Sequence, residues 1–117
     1  MSDTIPLGSI ASARSGDKGN HANIAVVAYS PLGFAFLQAE LTGEKVAAYF
    51  AALGVTRVER FELPKVETLN FLLHDALAGG ASRSLRIDTQ GKLLGTAILE
   101  LPLPRPDRWA EMTNSEP

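Results

Sequence analysis

The chain contains no cysteine, which excludes disulfides, thiolate nucleophiles and cysteine-rich zinc sites. No apolar run approaches the roughly 18 residues that a membrane-spanning helix needs, so no membrane partner is expected. The opening MSDTIPL lacks the basic n-region and apolar h-region of a secretory signal, and a cytoplasmic location is the expectation. A surplus of one charge is missing too. Eleven Lys+Arg face 13 Asp+Glu, a net charge of -2, which supplies no field to hold a nucleic acid. There are only two histidines, in neither a His-x-x-x-His nor a His-Glu-x-x-His arrangement, and neither a Walker A loop nor a Gly-x-Gly-x-x-Gly occurs. No metal and no cofactor is therefore expected.

What is present is a core. At 117 residues and 45% hydrophobic content, the chain suits one domain that buries roughly two-thirds of the surface it would expose unfolded. We expect that domain over residues 1–104, with a tail over 105–117 whose prolines lack the donors of a central strand.

Local patterns divide the chain into elements. Leu7–Arg14 is small and loosely patterned and reads as a strand. Ser15–Asn23, SGDKGNHAN, has the composition of a polar, glycine-rich loop. Ile24–Tyr29 is a short apolar run rich in β-branched residues, expected as a central strand covered on both faces. Phe34, Leu37 and Leu41 form one stripe of a helix starting near Pro31. Thr42 then caps a second helix, with Val46, Tyr49, Phe50 and Leu53 on one side and Gly54 as its stop.

Val55–Leu63 mixes β-formers with charges, as a strand with one wet face does, and Pro64 closes it. Leu69, Leu72, Leu73, Ala76 and Leu77 predict a third helix, ended by Gly79–Gly80. On that helix Phe71 points away from the stripe and needs a cover. Ser84–Asp88, a turn at 89–91 and Lys92–Leu101 read as a terminal hairpin. Helices mixed with antiparallel strands predict an α+β fold, a two-layer ferredoxin-like sandwich with its helices on one face of a mostly antiparallel sheet.

Two blocks stand out: ARSGDKGNHANI at 13–24, and FELP at 61–64 followed by Leu69–Asn70–Phe71, Ala76–Leu77, Gly79–Gly80 and SLRIDTQGK at 84–92. Together, over about Leu7 to Leu101, they resemble the C-terminal ferredoxin-like domain of the acyclic terpene utilisation protein A (AtuA) family. The resemblance implies a ferredoxin-like fold and a link to catabolism of branched acyclic terpenoids through acyl-CoA thioesters. It supplies no catalytic residues. Larger members carry a big N-terminal domain before this one, so a subunit like that domain is an expected partner. Lys65 departs from the family, in which an amide more often follows the proline.

Candidate site residues come from the residues themselves. Gly16 and Gly19 permit close backbone approach, and Lys18 with free amides is suited to cradle a small anionic ligand. Arg14, Ser15, Asp17, Asn20 and Asn23 surround them. The bland alternative is a tight turn held by Asp17 and the asparagines, with Lys18 in solvent. Asn70 and His74, four apart on the expected third helix, project together toward the same loop. Arg83 joins Arg86, Arg14 and Lys18 in a basic rim for a carboxylate, phosphate or CoA, or else in a solvated face. Three functions compete: an accessory ligand-binding module, a free-standing enzyme with Asp17, Lys18 and His74 as acid–base groups, and a homo-oligomer closed over Phe71.

Overall fold

The structure, a computed structural model, describes residues 3–18, 21–51, 54–75 and 92–113. Among these, two helices succeed each other early in the chain, as the sequence predicts. Ser30 caps α1 (Pro31–Glu40) by accepting a hydrogen bond from Gly33 N at 2.9 Å, with Pro31 as the first helical residue. That proline has no N–H to leave unsatisfied. Thr42 caps α2 (Gly43–Tyr49) by accepting from Lys45 N at 3.1 Å. Phe34, Leu37, Leu41, Val46 and Phe50 are all buried, and Gly54 adopts the left-handed φ of 78° past the end of α2.

The helices lie on one side of a four-stranded antiparallel sheet. Its strands are β2 (Ala11–Lys18), β3 (His21–Ala28), β4 (Arg57–Leu63) and β5 (Thr68–His74), in the order β2-β3-β5-β4. A separate two-stranded sheet joins β1 (Thr4–Pro6) to β6 (Pro102–Pro104). There the buried pair Ile5 and Leu103 face each other between exposed prolines, which suits residues that cannot donate to a longer ladder. The third helix, α3 (Lys92–Ile98), packs on β2 and β3. The result is the expected α+β, ferredoxin-like sandwich.

Several local expectations are corrected. Leu7–Ser9 is a 3-10 turn, and the first long strand starts at Ala11. Residues 15–18 and 21–23 are paired strand, not loop, with Gly16 opposite Asn23 and Lys18 opposite His21. Polar residues are tolerated because strand preference reflects fit to a half-buried pleat, and here one face has no described helix over it. For the same reason β3 is buried on one face only. Ala22, Ile24, Val26 and Ala28 enter the core while His21, Asn23, Ala25 and Val27 stay half-exposed.

The expected third helix at 69–77 is, over Thr68–His74, the central strand β5. Leu69, Phe71 and Leu73 are fully buried at alternate positions. Leu69 and Leu73 satisfy both a helical and an alternating pattern, Leu72 only the helical one, and burial of the alternate set Leu69, Phe71 and Leu73 in the core selects the strand. Phe71 accordingly has no outward ring to cover. Lys92–Ile98, expected as the return strand of a hairpin, is helical. The first strand of that hairpin, and Gly79–Gly80, lie outside the described residues.

The tail also takes part in packing. Trp109–Glu111 forms a 3-10 turn, Met112 is buried, and a Cβ on Gly33 would lie 3.6 Å from Met112 Cβ.

Candidate functional site

The strand registers fix which side chains share the outer face of the sheet. Residues directly opposite in antiparallel strands point to the same side. His74 faces Arg57, and Leu72 faces both Asn23 and Glu59. Asn70 faces Ala25 and Phe61, and Thr68 faces Val27 and Leu63. Gly16, Arg14 and Ser12 continue these rows into β2. One end of the face is thus polar, with two histidines, two asparagines, Glu59 and Arg57. The other end is apolar, and Phe61 and Leu63 are exposed there.

At the polar end the side chains touch. Asn23 Nδ2 donates to Asn70 Oδ1 at 2.7 Å, across 47 residues of sequence. The rings of His21 and His74 meet edge to face, centroids 4.9 Å apart at 64°. His21 Nδ1 accepts from Asp75 N at 3.0 Å, and Asp75 Oδ2 accepts from Thr56 Oγ1 at 2.8 Å. Asp75, the first residue past β5, has a left-handed φ of 63°, a conformation that aspartate tolerates better than most residues.

His74 Nε2 lies 3.1 Å from Glu59 Oε1 and 3.2 Å from Arg57 Nη2, and Arg57 Nη2 is 3.5 Å from Glu59 Oε2. One ring nitrogen cannot donate to the carboxylate and accept from the guanidinium at once. With its hydrogen on Nε2, His74 donates to Glu59 while Arg57 balances the other carboxylate oxygen. This imidazole–carboxylate pair is oriented as an acid–base group would be. His74 itself is only 18% exposed.

The structure divides the sequence-predicted residues. Asn23 and Asn70 meet, while His74 contacts His21 instead; positions four apart share a face of a strand but stand about 13 Å apart along it. Arg14 is exposed on the same face. Ser15 lies on the opposite side, where its Oγ accepts from Gly95 N at 2.9 Å, so it does not join the histidines. Asp17 pairs with Ala22 and Lys18 with His21 in register. Asn20 and Arg83 lie outside the described residues, as do Arg86 and the serines at 82 and 84.

Sequence reasoning passed over Glu59 and Arg57. Their alternation in a charged strand was the available signal, but without the register nothing tied them to residue 74. Among the described residues no group of three or more His, Asp or Glu side chains is placed to hold a metal. Two shallow depressions lie elsewhere. One of about 420 Å³ is lined by Thr42, Glu44, Val58 and Arg60, and one of about 370 Å³ by Lys45, Tyr49 and Leu101. No described helix is long and apolar enough to cross a membrane.

Neither the curated proteins nor the solved structures give a match to this chain. A family model does, over residues 5–104, a span that takes in every described strand of the main sheet and the three described α-helices. The chain therefore belongs to the AtuA ferredoxin-like domain family.

Proposed function

We propose that this protein is an accessory, ligand-binding member of its family. It takes a small acyl or anionic ligand, of the acyl-CoA class that branched terpenoid catabolism would supply, at the polar end of the outer sheet face. The observation that carries this reading is the pair of polar contacts on that face, Asn23 with Asn70 and His21 with His74, each joining β3 to β5. Polar side chains from separate strands that meet on an open surface need a reason other than core stability. Arg14, and the paired strand segments 15–18 and 21–23, adjoin them.

The test is thermal unfolding of the wild type and of His74→Ala and Lys18→Ala with CoA, branched acyl-CoA thioesters and small carboxylates. Ligand at 100 times its dissociation constant stabilises by about 2.7 kcal/mol, a shift of several degrees in a small domain. A wild-type shift lost in the variants supports the site. No shift with any class refutes it.

Two observations favour companion readings. The Glu59–His74 pair at 3.1 Å suits a free-standing enzyme acting on the same ligand class, and turnover by wild type lost in Glu59→Gln would support it. Exposed Phe61, Leu63 and Val66 at the apolar end suit contact with a second copy or with a subunit like the N-terminal domain of larger members. Light scattering at micromolar concentration tests self-association, and a monomer there refutes it.

A further inference from the structure

A backbone N–H can only donate. Because Asp75 N donates to His21 Nδ1 at 3.0 Å, that ring nitrogen holds a lone pair, and the neutral ring carries its hydrogen on Nε2. The partner is fixed in turn, since Asp75 is tied to Thr56 and set at its left-handed φ. Among the described residues, nothing accepts from His21 Nε2, and the side chain is 39% exposed. Among the described residues, the neighbouring carboxylates do not meet that nitrogen. Asp75 Oδ1 stands 4.0 Å from the other nitrogen, Nδ1, and Glu59 is committed to His74 and Arg57. His74 packs edge to face against the ring and limits its rotation.

We infer that His21 is the specificity-determining residue of the outer-face site. It presents a tautomer-locked Nε2–H to an oxygen acceptor of the ligand, either an acyl carbonyl or a carboxylate. A fixed neutral donor beside the Asp75 carboxylate selects ligands by an accepting oxygen and does not require a full negative charge. A donor-only ligand group such as ammonium finds no lone pair at His21 Nε2. The inference rests on the site proposed above and adds to it the residue and the ligand atom.

The tautomer and the binding are tested separately. Long-range ¹H–¹⁵N correlation spectra of the full chain at about pH 8.5, above the ordinary histidine range, are expected to show His21 protonated at Nε2 and bare at Nδ1. Titration with butyrate and with S-methyl butanethioate then distinguishes carboxylate from acyl carbonyl, and either is expected to shift the His21 Nε2 resonance saturably. His21→Phe, which keeps a ring against His74 but has no donor, is expected to bind about ten-fold more weakly. His21→Gln, whose amide N–H reaches near the Nε2 position, is expected to restore part of that loss.

An Nδ1–H tautomer overturns the inference. So does binding that leaves His21 unshifted, or that is equal in His21→Phe, and in those cases the ligand-binding reading itself survives. If neither probe binds, the inference falls, and the ligand-binding reading falls with it only when CoA and branched acyl-CoA thioesters also leave the unfolding midpoint unmoved.

Discussion

The packing of α3 on β2 decides which residues of the 15–23 segment can reach a ligand, and Gly95 is where that packing is tightest. A Cβ built on Gly95 would lie 3.0 Å from Ser15 Oγ, 3.1 Å from Ser15 N and 3.3 Å from Arg14 C. Two of these neighbours are backbone atoms of a paired strand and cannot swing aside, so Gly95→Ala must push the helix outward. Overpacking of this kind costs about 1–3 kcal/mol. The displacement also stretches the 2.9 Å bond from Gly95 N to Ser15 Oγ, worth about 1 kcal/mol. Against this, alanine gains about 1 kcal/mol in helix propensity.

The net expectation is a loss of about 2 kcal/mol, or a fall of roughly 6–10 °C in midpoint for a domain of this length, measured by thermal denaturation followed by circular dichroism. Ser15→Ala should cost about 1 kcal/mol by itself. In the double variant it should relieve only part of the Gly95→Ala loss, because the Ser15 N contact persists. A Gly95→Ala protein as stable as the wild type or more so would refute the reasoning. It would mean that α3 does not press on β2 and that Ser15 is not held beneath it.

Three further outcomes follow from the packing and the hydrogen bonds. Phe71→Ala should cost about 3–5 kcal/mol in urea unfolding, as for a fully buried ring, whereas the surface position that a helix at 69–77 implies would cost under about 0.5 kcal/mol. Arg60 donates from Nη1 to Gln38 O and Leu41 O at the end of α1, at 3.1 and 3.0 Å. Arg60→Ala should cost about 1–2 kcal/mol, and Arg60→Lys should recover only part because it lacks the planar fork. Burial, and secondarily the Glu100 carboxylate, hold the Tyr49 phenol above its ordinary 10.0. Below that value both states are protonated. Above it the unfolded chain ionises first, so stability falls as pH rises through the window up to the folded value. Tyr49→Phe should flatten that alkaline slope while losing about 1 kcal/mol for the 2.8 Å bond to Ala97 O, both read from denaturation midpoints between neutral and alkaline pH.

The sequence by itself determined the family, the α+β class and the two early helices. Ser30, Pro31, Thr42 and Gly54 carry their signals within a turn of the residues they affect, and caps act over that range. It also placed Asn70 and His74 on one face, since residues four apart share a face of either a helix or a strand, though on the strand they stand apart and take different partners. Only the tertiary structure decided between those two for residues 68–74. Leu69 and Leu73 fit both periods, and whether Phe71 or Leu72 is buried with them was decided by the pairing of β5 with β3 and β4. Residues 15–18 and 21–23 likewise became strand because a ladder partner and an uncovered face were available. The contacts of Glu59, Arg57 and His21 with the residue-74 corner were beyond the sequence for the same reason. Strand register is set by pairing between segments far apart in the chain, and no local pattern encodes which two positions will stand opposite each other.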